Sequence, residues 1–477
     1  MKNKVLPLTD FGNVERLINE HKETLLFCKQ TKQYYVYDGR EWVSEHNSLL
    51  FEKAKATIRN IVNEINFTKD PKLKTAIKIH AQRSESLSKI RSMLKLAEMS
   101  SQIQINIHDF DKNPMQLNCG NGVIDLRTGK LLPHNSKYLI TKTTGIDYIS
   151  NAKCPHWIEF INKIVNNNKE MAGYLQKVFG YSCTGLITEQ IIILLIGMGC
   201  NGKSTILERI RKVLGDYAKN LPASSLLSSQ TANIRNDIAR LSGARMVTSV
   251  EIGEGKRLDE ELVKQITGGD PMTSRYLYKN YFEHTPTYKI FIAANYAPDI
   301  RGVDKGIWRR IKLIPFKIII PDNEIDKNLG EKLDEELPGI LNWCVKGCLM
   351  WQKEGLDMPK EVINAIDEYK NESDMVGEFL QDCFERNNAS STSVKNIYSQ
   401  LEAWCKENGR DLIKKKTLGV QMKIKGFKSS KSGAVRFWDG LQLKSSKKSS
   451  KKSSKIKKNV NKQIKADAAA KSLHQIQ

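Results

Sequence analysis

Several features are missing from this 477-residue sequence, and each absence excludes a class of protein. No apolar run reaches the ~18 residues that a membrane-spanning helix needs, and the N-terminal residues lack the apolar stretch of a signal peptide. These two absences predict a cytoplasmic protein. The nine cysteines include no CxxC pair, so neither a disulfide framework nor a zinc ribbon is expected.

Acidic residues are scarce as well. The chain holds 53 Asp and Glu against 76 Lys and Arg, which gives a formal net charge of +23. This excess favours a polyanionic partner, and nucleic acid before a membrane surface. With 40% hydrophobic and 27% charged residues the chain has the composition of a folded protein, and its length fits two or three domains.

The pattern along the chain predicts an α/β protein built from successive segments. Residues 1–150 mix short strands with amphipathic helices and predict a mixed α/β domain. Residues 151–345 alternate apolar runs with helical patterns, which is typical of a parallel sheet covered by helices. Residues 346–391 predict a helical connector, and its last five residues, Asn-Asn-Ala-Ser-Ser, predict a loop.

A phosphate-binding loop is the sharpest motif. The pattern GxxxxGK[ST] follows an apolar strand at 191–196 and opens a helix at 206–214, as the mechanism of such loops requires. Lys203 is expected to reach the β and γ phosphates of ATP, and the Ser204 hydroxyl to bind Mg²⁺. The residues predicted to surround the phosphates are Gly197, Met198, Gly199, Cys200, Asn201, Gly202, Lys203, Ser204 and Thr205.

Two polar residues follow later apolar strands. Glu251 closes a short strand and is placed to hold Mg²⁺ or to polarise the attacking water, although a solvated glutamate at a strand end is the simpler alternative. Asn295 ends the strand IFIAAN, and its amide is placed to orient the hydrolytic water beside the γ phosphate. Both residues are therefore predicted to be catalytic.

A basic and aromatic cluster precedes the strand that ends at Asn295. Arg275, Tyr278, Lys279 and Asn280 are predicted to form part of a hairpin that grips single-stranded DNA, since lysine and arginine follow phosphates and aromatic rings stack on unpaired bases. The alternating aromatic residues also fit a hydrophobic core.

Trp308 is followed by two adjacent arginines. Arg309 and Arg310 are both candidates for an arginine finger, which would act on the ATP of a neighbouring subunit. A surface ion-pair site is the alternative for this pair of residues.

The C-terminal segment 392–443 is predicted to be a winged-helix domain. Lys414, Lys415 and Lys416 open its second helix and suit phosphate contacts in a major-groove reader; a small packing domain is the alternative. Residues 444–477 follow, and the ten lysines and single aspartate of residues 444–467 predict a basic disordered tail with salt-sensitive affinity for DNA.

The order of these motifs, with Thr-Gly-Gly-Asp at 267–270 between Glu251 and Asn295, resembles the superfamily 3 helicases. The resemblance is to the branch of phage and plasmid primase-helicases related to the poxvirus type, and it covers residues 110–345. It implies an AAA+-like P-loop ATPase core that works as a ring, usually a hexamer, on single-stranded and forked DNA. It also implies that Glu251 activates water and that Asn295 senses the γ phosphate.

One residue departs from the family pattern. Many members have two adjacent acidic residues where this chain has Val250 and Glu251. Three roles of Glu251 therefore stay open: binding the metal, activating the water, or both.

A primase domain is not expected in this sequence. Asp109 and Asp111 imitate a pair of metal-binding carboxylates, but too little chain precedes them for a primase catalytic domain. Priming would then require a separate protein.

These observations predict an ATP-dependent replicative DNA helicase and origin-binding initiator of a phage, plasmid or phage-inducible island, acting in the cytoplasm of a bacterial host. The missing primase and the added winged helix resemble the replication initiators of staphylococcal pathogenicity islands. Two alternatives stay open: an ATPase that packages or remodels DNA without separating strands, and a DNA-binding regulator whose ATP site only controls assembly.

Overall fold

Two units make up the chain, and the boundary between them lies inside a helix. The computed structural model describes residues 4–44, 48–228, 236–253, 255–275, 281–300 and 305–444. The first unit ends at Tyr369 and the second begins at Lys370. The helical connector predicted for residues 346–391 therefore contributes to both units.

The N-terminal part of the first unit combines helices with a small sheet. Strand β1 pairs antiparallel with β2 and parallel with β4, and β2 pairs antiparallel with β3. Thr9, Asp70 and Ser86 start three of the helices, because their side-chain oxygens accept bonds from backbone N–H groups of the first turn. The elements are α1 (Asp10–His21), β1 (Leu25–Cys28), β2 (Gln33–Tyr37), β3 (Trp42–Ser44), α2 (Leu49–Asn60), α3 (Pro71–Ser84), α4 (Leu87–Ala97) and β4 (Gln104–Ile105).

Short antiparallel strands follow: β5 (Gln116–Cys119), β6 (Gly122–Asp125) and β7 (Lys130–Leu132). Their buried side chains, Leu117 and Ile124 among them, pack in the same hydrophobic cluster as Trp157. The core of the N-terminal helices, by contrast, extends no further than Ile103. These strands therefore share the core of the following segment, although the sequence grouped them with residues 1–150.

A parallel sheet organises the rest of the first unit. Its strand order within the described residues is β14-β8-β13-β10-β9, and all of its pairings are parallel. The elements are α5 (Pro155–Ile164), α6 (Lys169–Ser182), β8 (Ile192–Ile196), α7 (Lys203–Leu214), β9 (Ala218–Asn220), α8 (Asn236–Ala239), β10 (Met246–Val250), α9 (Glu260–Gly268), β11 (Met272–Arg275), β12 (Tyr281–His284), β13 (Lys289–Ala294), α10 (Lys305–Trp308), β14 (Ile311–Pro315), α11 (Leu329–Glu335), α12 (Leu337–Glu354) and α13 (Lys360–Glu372).

Alternation along β8 explains why this sheet is buried on both faces. Ile193 and Leu195 point into one hydrophobic cluster, whereas Ile192 and Leu194 point into the other. Continuous apolar strands of this kind are expected where helices cover both faces of a parallel sheet. The polar residues that follow the strands consequently gather at the carboxyl edge of the sheet.

The second unit is a small α/β assembly. Its elements are α14 (Met375–Cys383), β15 (Phe384–Ser393), α15 (Val394–Asn408), α16 (Lys415–Ile424), β16 (Ser429–Ser432) and β17 (Val435–Leu443). Strand β17 pairs antiparallel with β15 on one side and β16 on the other.

The loop predicted at residues 387–391 is wrong, because these residues lie within β15. The register of β15 against β17 shifts between Arg386 and Ser391, so the polar residues form an irregularity inside a paired strand. Side chains reinforce the pairing: the Asn387 amide donates to Gln442 Oε1 at 2.5 Å, and the Thr392 hydroxyl donates to the Leu441 carbonyl at 2.7 Å.

In the part of the chain that the structure describes, no helix has both the length and the apolar character needed to cross a membrane.

Candidate functional site

A cleft of about 910 Å³ opens at the carboxyl edge of the parallel sheet. The ends of β8, β9, β10 and β13 reach it, because parallel strands all point the same way. The lining includes the loop residues from Gly199 to Thr205 together with Glu251 and Asn295. Residues that lie far apart in the sequence, and that were predicted separately, thus share one cavity.

Glycines allow the loop to fold tightly. Gly202 has a φ of +83°, the left-handed region that favours glycine, and a Cβ atom there would lie 2.6 Å from Ile164 Cγ2. At Gly197 a Cβ atom would lie 2.2 Å from the Phe316 carbonyl oxygen, so the loop passes directly against the backbone that follows β14. The Met198 side chain is 54% exposed, and its carbonyl accepts a bond from Asn201 Nδ2.

Lys203 is held inside the loop. Its side chain is buried, and Nζ donates to the Gly197 carbonyl and, at 3.0 Å, to Asn201 Oδ1. Burial lowers the pKa of Lys203. Because α7 begins at Lys203, the amine lies where the free N–H groups and the dipole of a helix N-terminus favour an anion. This donor set fits the phosphates of a nucleotide.

Ser204 and Glu251 supply oxygen atoms on the same cleft. Ser204 is exposed on the first turn of α7, and Glu251 is exposed directly after β10. Glu251 has a φ of +64°, unusual for a residue other than glycine, while its N–H donates to the Ala293 carbonyl at 3.1 Å. A hydroxyl and a carboxylate are hard oxygen ligands of the kind Mg²⁺ prefers.

Asn295 follows the neighbouring strand. Val250 and Ala293 are partners in the β10–β13 ladder, so the residues after each strand enter the cleft side by side. Asn295 is exposed there, next to Tyr296.

The cleft also contains polar residues that the sequence reasoning missed. Asn220 ends β9 and Thr248 lies within β10, and the Thr248 hydroxyl is 3.3 Å from Asn220 Oδ1. Arg211 lines the cleft from the last turn of α7. Strand β9 has only three residues and contains no apolar run, so the sequence pattern did not predict it. The asparagine before the next helical turn was the one signal that could have marked the end of this strand.

The two candidate fingers have different environments. Arg309 is exposed. Arg310 is buried, and its Nε donates to Thr267 Oγ1 at 2.9 Å while its Nη1 donates to the Gly306 carbonyl. The Arg310 guanidinium is thus engaged inside the first unit, where it joins the start of β14 to the end of α9. Which of the two arginines acts as a finger stays a prediction.

The segment predicted to grip DNA includes the strands β11 and β12, which pair antiparallel with Arg275 opposite Tyr281. Tyr278, Lys279 and Asn280, together with the side chain of Arg275, lie outside the described residues.

The lysines of the second unit lie at the start of α16. Lys414 is the N-cap residue, and Lys414, Lys415 and Lys416 are all exposed. Lys415 Nζ lies 4.9 Å from the centroid of the Tyr398 ring.

The two carboxylates that imitate a primase pair have separate partners. Asp109 pairs with Lys112 at 2.6 Å, whereas Asp111 accepts bonds from Lys142 Nζ at 3.0 Å and from the Thr141 N–H at 2.9 Å. Both carboxylates are therefore engaged with neighbouring residues and are not paired with each other.

Comparison with known families adds an independent observation. Residues 14–166 match the family described as D5 N terminal like. Residues 195–310, which contain the phosphate loop, Glu251 and Asn295, match a family of unknown function, DUF5906. The chain is similar to D5-type viral proteins.

Two viral relatives have names that refer to a helicase and to a primase. The Acanthamoeba polyphaga mimivirus protein named "Putative helicase L207/L206" is 24% identical over 443 residues, which is 83% of this chain and 45% of that protein. The African swine fever virus (isolate Warthog) protein named "Putative primase C962R" is 28% identical over 254 residues, 51% of this chain and 26% of that protein. The chain thus spans less than half the length of these relatives.

Among solved structures, the apo NrS-1 C-terminal region matches with a TM-score of 0.47 and 10% identity, over 88% of this chain and 96% of that one.

Proposed function

We propose that this chain is an ATP-driven DNA helicase of the superfamily 3 primase-helicase type, with an AAA+-like P-loop core. One observation carries the proposal: Lys203, Ser204, Glu251 and Asn295 line a single cleft at the carboxyl edge of a parallel sheet. The names of the D5-type viral relatives, helicase and primase, agree with this assignment.

The residues of the cleft divide the work of hydrolysis. When ATP binds, Lys203 Nζ exchanges its hydrogen bonds to oxygen atoms of the loop for bonds to the β and γ phosphate oxygens, and it neutralises part of their charge. Glu251 accepts a proton from the attacking water, and the Asn295 amide holds that water in line with the γ phosphate. Mg²⁺, held through Ser204 and Glu251, would neutralise charge on the phosphate oxygens when bound.

Arg309 completes the site of a neighbouring subunit in this proposal. Arg309 is exposed on the first unit and does not line the cleft of its own chain. Both properties are required of a finger that acts on the ATP of another subunit. The active form is then a homo-oligomeric ring, for which we propose a hexamer.

DNA contacts are assigned to both units. The β11–β12 hairpin grips single-stranded DNA, and the second unit, a winged-helix domain, binds origin duplex through the lysines that begin α16. The chain would thus act as a replication initiator of a mobile genetic element.

ATP turnover tests this proposal. Lys203→Ala should reduce DNA-stimulated hydrolysis to background, because the buried amine of the phosphate loop is removed. Lys212→Ala is the matched control, since Lys212 lies on the same helix but pairs with Asp334 at 2.8 Å and does not line the cleft. Hydrolysis at the wild-type rate by Lys203→Ala would contradict the assignment.

A further inference from the structure

One face of α16 exposes apolar side chains. Val420 and Ile424, one helical turn apart, are 51% and 55% exposed, whereas Leu418 and Met422 on the opposite face are buried in the core of the second unit. The exposed pair is therefore not part of that core.

Cations surround this pair. Lys416 and Lys423 are exposed on the same face of α16, at spacings of four and three residues from Val420. Residues 410–444 contain ten Lys and Arg and only two acidic residues, both aspartates. The described basic side chains that are exposed here include Lys414, Lys415, Lys428, Lys431 and Arg436. An exposed apolar pair surrounded by lysines and arginines is complementary to a polyanion that also presents apolar groups.

Duplex DNA has this combination in its major groove. The groove is wide enough for an α-helix, its edges are phosphates, and each thymine presents a C5-methyl group on its floor. Apolar side chains contact that methyl group, while lysines bind the phosphates and set the position of the helix.

We propose that α16 lies in the major groove and that Val420 and Ile424 contact thymine methyl groups, so that the second unit prefers thymine-rich duplex DNA. The inference rests on the proposed role of the second unit in binding duplex DNA. Lys416 and Lys423 supply affinity that is independent of sequence, and the apolar pair supplies the preference.

Deoxyuridine isolates the contact, because it pairs as thymine does and lacks only the methyl group. The full chain, without ATP, is titrated with a thymine-rich duplex and with the same duplex carrying deoxyuridine at every thymine. Burial of one methyl group changes affinity by about fourfold, so the thymine duplex should bind at least about fourfold more tightly. A cytosine-rich duplex should gain affinity when its cytosines carry the C5-methyl group.

Variants connect the preference to the helix. Val420→Ala with Ile424→Ala should bind both duplexes equally, while retaining the fall in affinity with salt that phosphate contacts produce. Alanine favours the helix, so this variant should fold. Ile363→Ala is the matched control, because Ile363 is a 41% exposed isoleucine on another helix, and it should keep the wild-type preference.

Three results would overturn the inference in distinguishable ways. Equal binding of both duplexes by the wild type would refute methyl contact and leave duplex binding intact. Failure to bind any duplex at about 50 mM salt would refute the proposed role of the second unit itself. A thymine preference unchanged in the double variant, with a smaller sedimenting species, would show that the apolar pair joins two copies of the chain.

Discussion

Replacing two glycines of the phosphate loop should have opposite effects. A Cβ atom at Gly197 would lie 2.2 Å from the Phe316 carbonyl oxygen and 2.7 Å from Asn201 Nδ2. At Gly199 no atom lies within 4 Å of the added carbon. Gly197→Ala should therefore distort the loop, whereas Gly199→Ala should be tolerated.

The cost of Gly197→Ala depends on which part of the backbone the added carbon displaces. Phe316 is fixed by a 2.7 Å bond from its N–H to the Ile196 carbonyl, so the clash displaces either the loop or the backbone after β14. Overpacking of this kind costs about 1–3 kcal/mol, which weakens nucleotide binding about 5- to 150-fold if the closed loop is needed for binding. Gly199→Ala should leave the folded loop undistorted and add about 0.4–1 kcal/mol of stability through the unfolded chain.

Titration with a non-hydrolysable ATP analogue at fixed magnesium measures the affinity, and thermal unfolding without nucleotide measures the stability. Wild-type affinity in Gly197→Ala, or a lower unfolding temperature in Gly199→Ala, would contradict these steric predictions.

Four further changes probe other parts of the chain. Arg309→Ala should keep nucleotide binding and stability but stop turnover, and it should poison wild-type rings on mixing. Arg310→Ala should cost about 1–3 kcal/mol in unfolding, because the Thr267 hydroxyl loses the buried Arg310 donor although it keeps its own bond to the Val263 carbonyl. A chain that ends at Glu372 should retain ATPase activity and lose selective footprinting of origin DNA, since the second unit is removed. Burial, followed by the nearby carboxylates of Asp216, Asp38 and Asp111, raises the pKa of Glu41 from 4.5 to about 7. The folded state therefore binds the Glu41 proton more tightly than the unfolded state does, so the free energy of unfolding falls as pH rises from about 4.5 through 7. Glu41→Gln should consequently unfold at a higher temperature than wild type at pH ~8 but not at pH ~4.

Each of these expectations has a contrary result. Simple dilution kinetics in the mixing experiment would exclude action of Arg309 between subunits, and stable Arg310→Ala would contradict its buried contact. Selective footprinting by the shortened chain would move origin recognition to the first unit. An equal rise in unfolding temperature of Glu41→Gln at both pH values would show that packing, and not the proton, is responsible.

The edge of the sheet that carries the cleft could be predicted from the sequence, because parallel strands end together and a polar residue after an apolar run marks each end. Lys203, Glu251 and Asn295 meet in one cleft for this reason. Asn220 was missed since β9 is short and partly polar, so no periodic signal precedes it.

Tertiary contacts decided the features that the sequence did not predict. The direction of the Arg310 side chain depends on Thr267, which lies 43 residues earlier in the chain. Residues 387–391 have the composition of a loop, yet the neighbouring residues pair with β17 and carry them into a strand. Local propensity contains no information about either partner.

Unwinding of forked duplexes with a 3′ or a 5′ single-stranded arm distinguishes a helicase from other ATPases that act on DNA. A helicase should separate the strands in a reaction that requires ATP and is abolished by Lys203→Ala, and the preferred arm gives the polarity of translocation. ATP hydrolysis without strand separation on either fork would contradict a helicase and favour an ATPase that remodels or packages DNA.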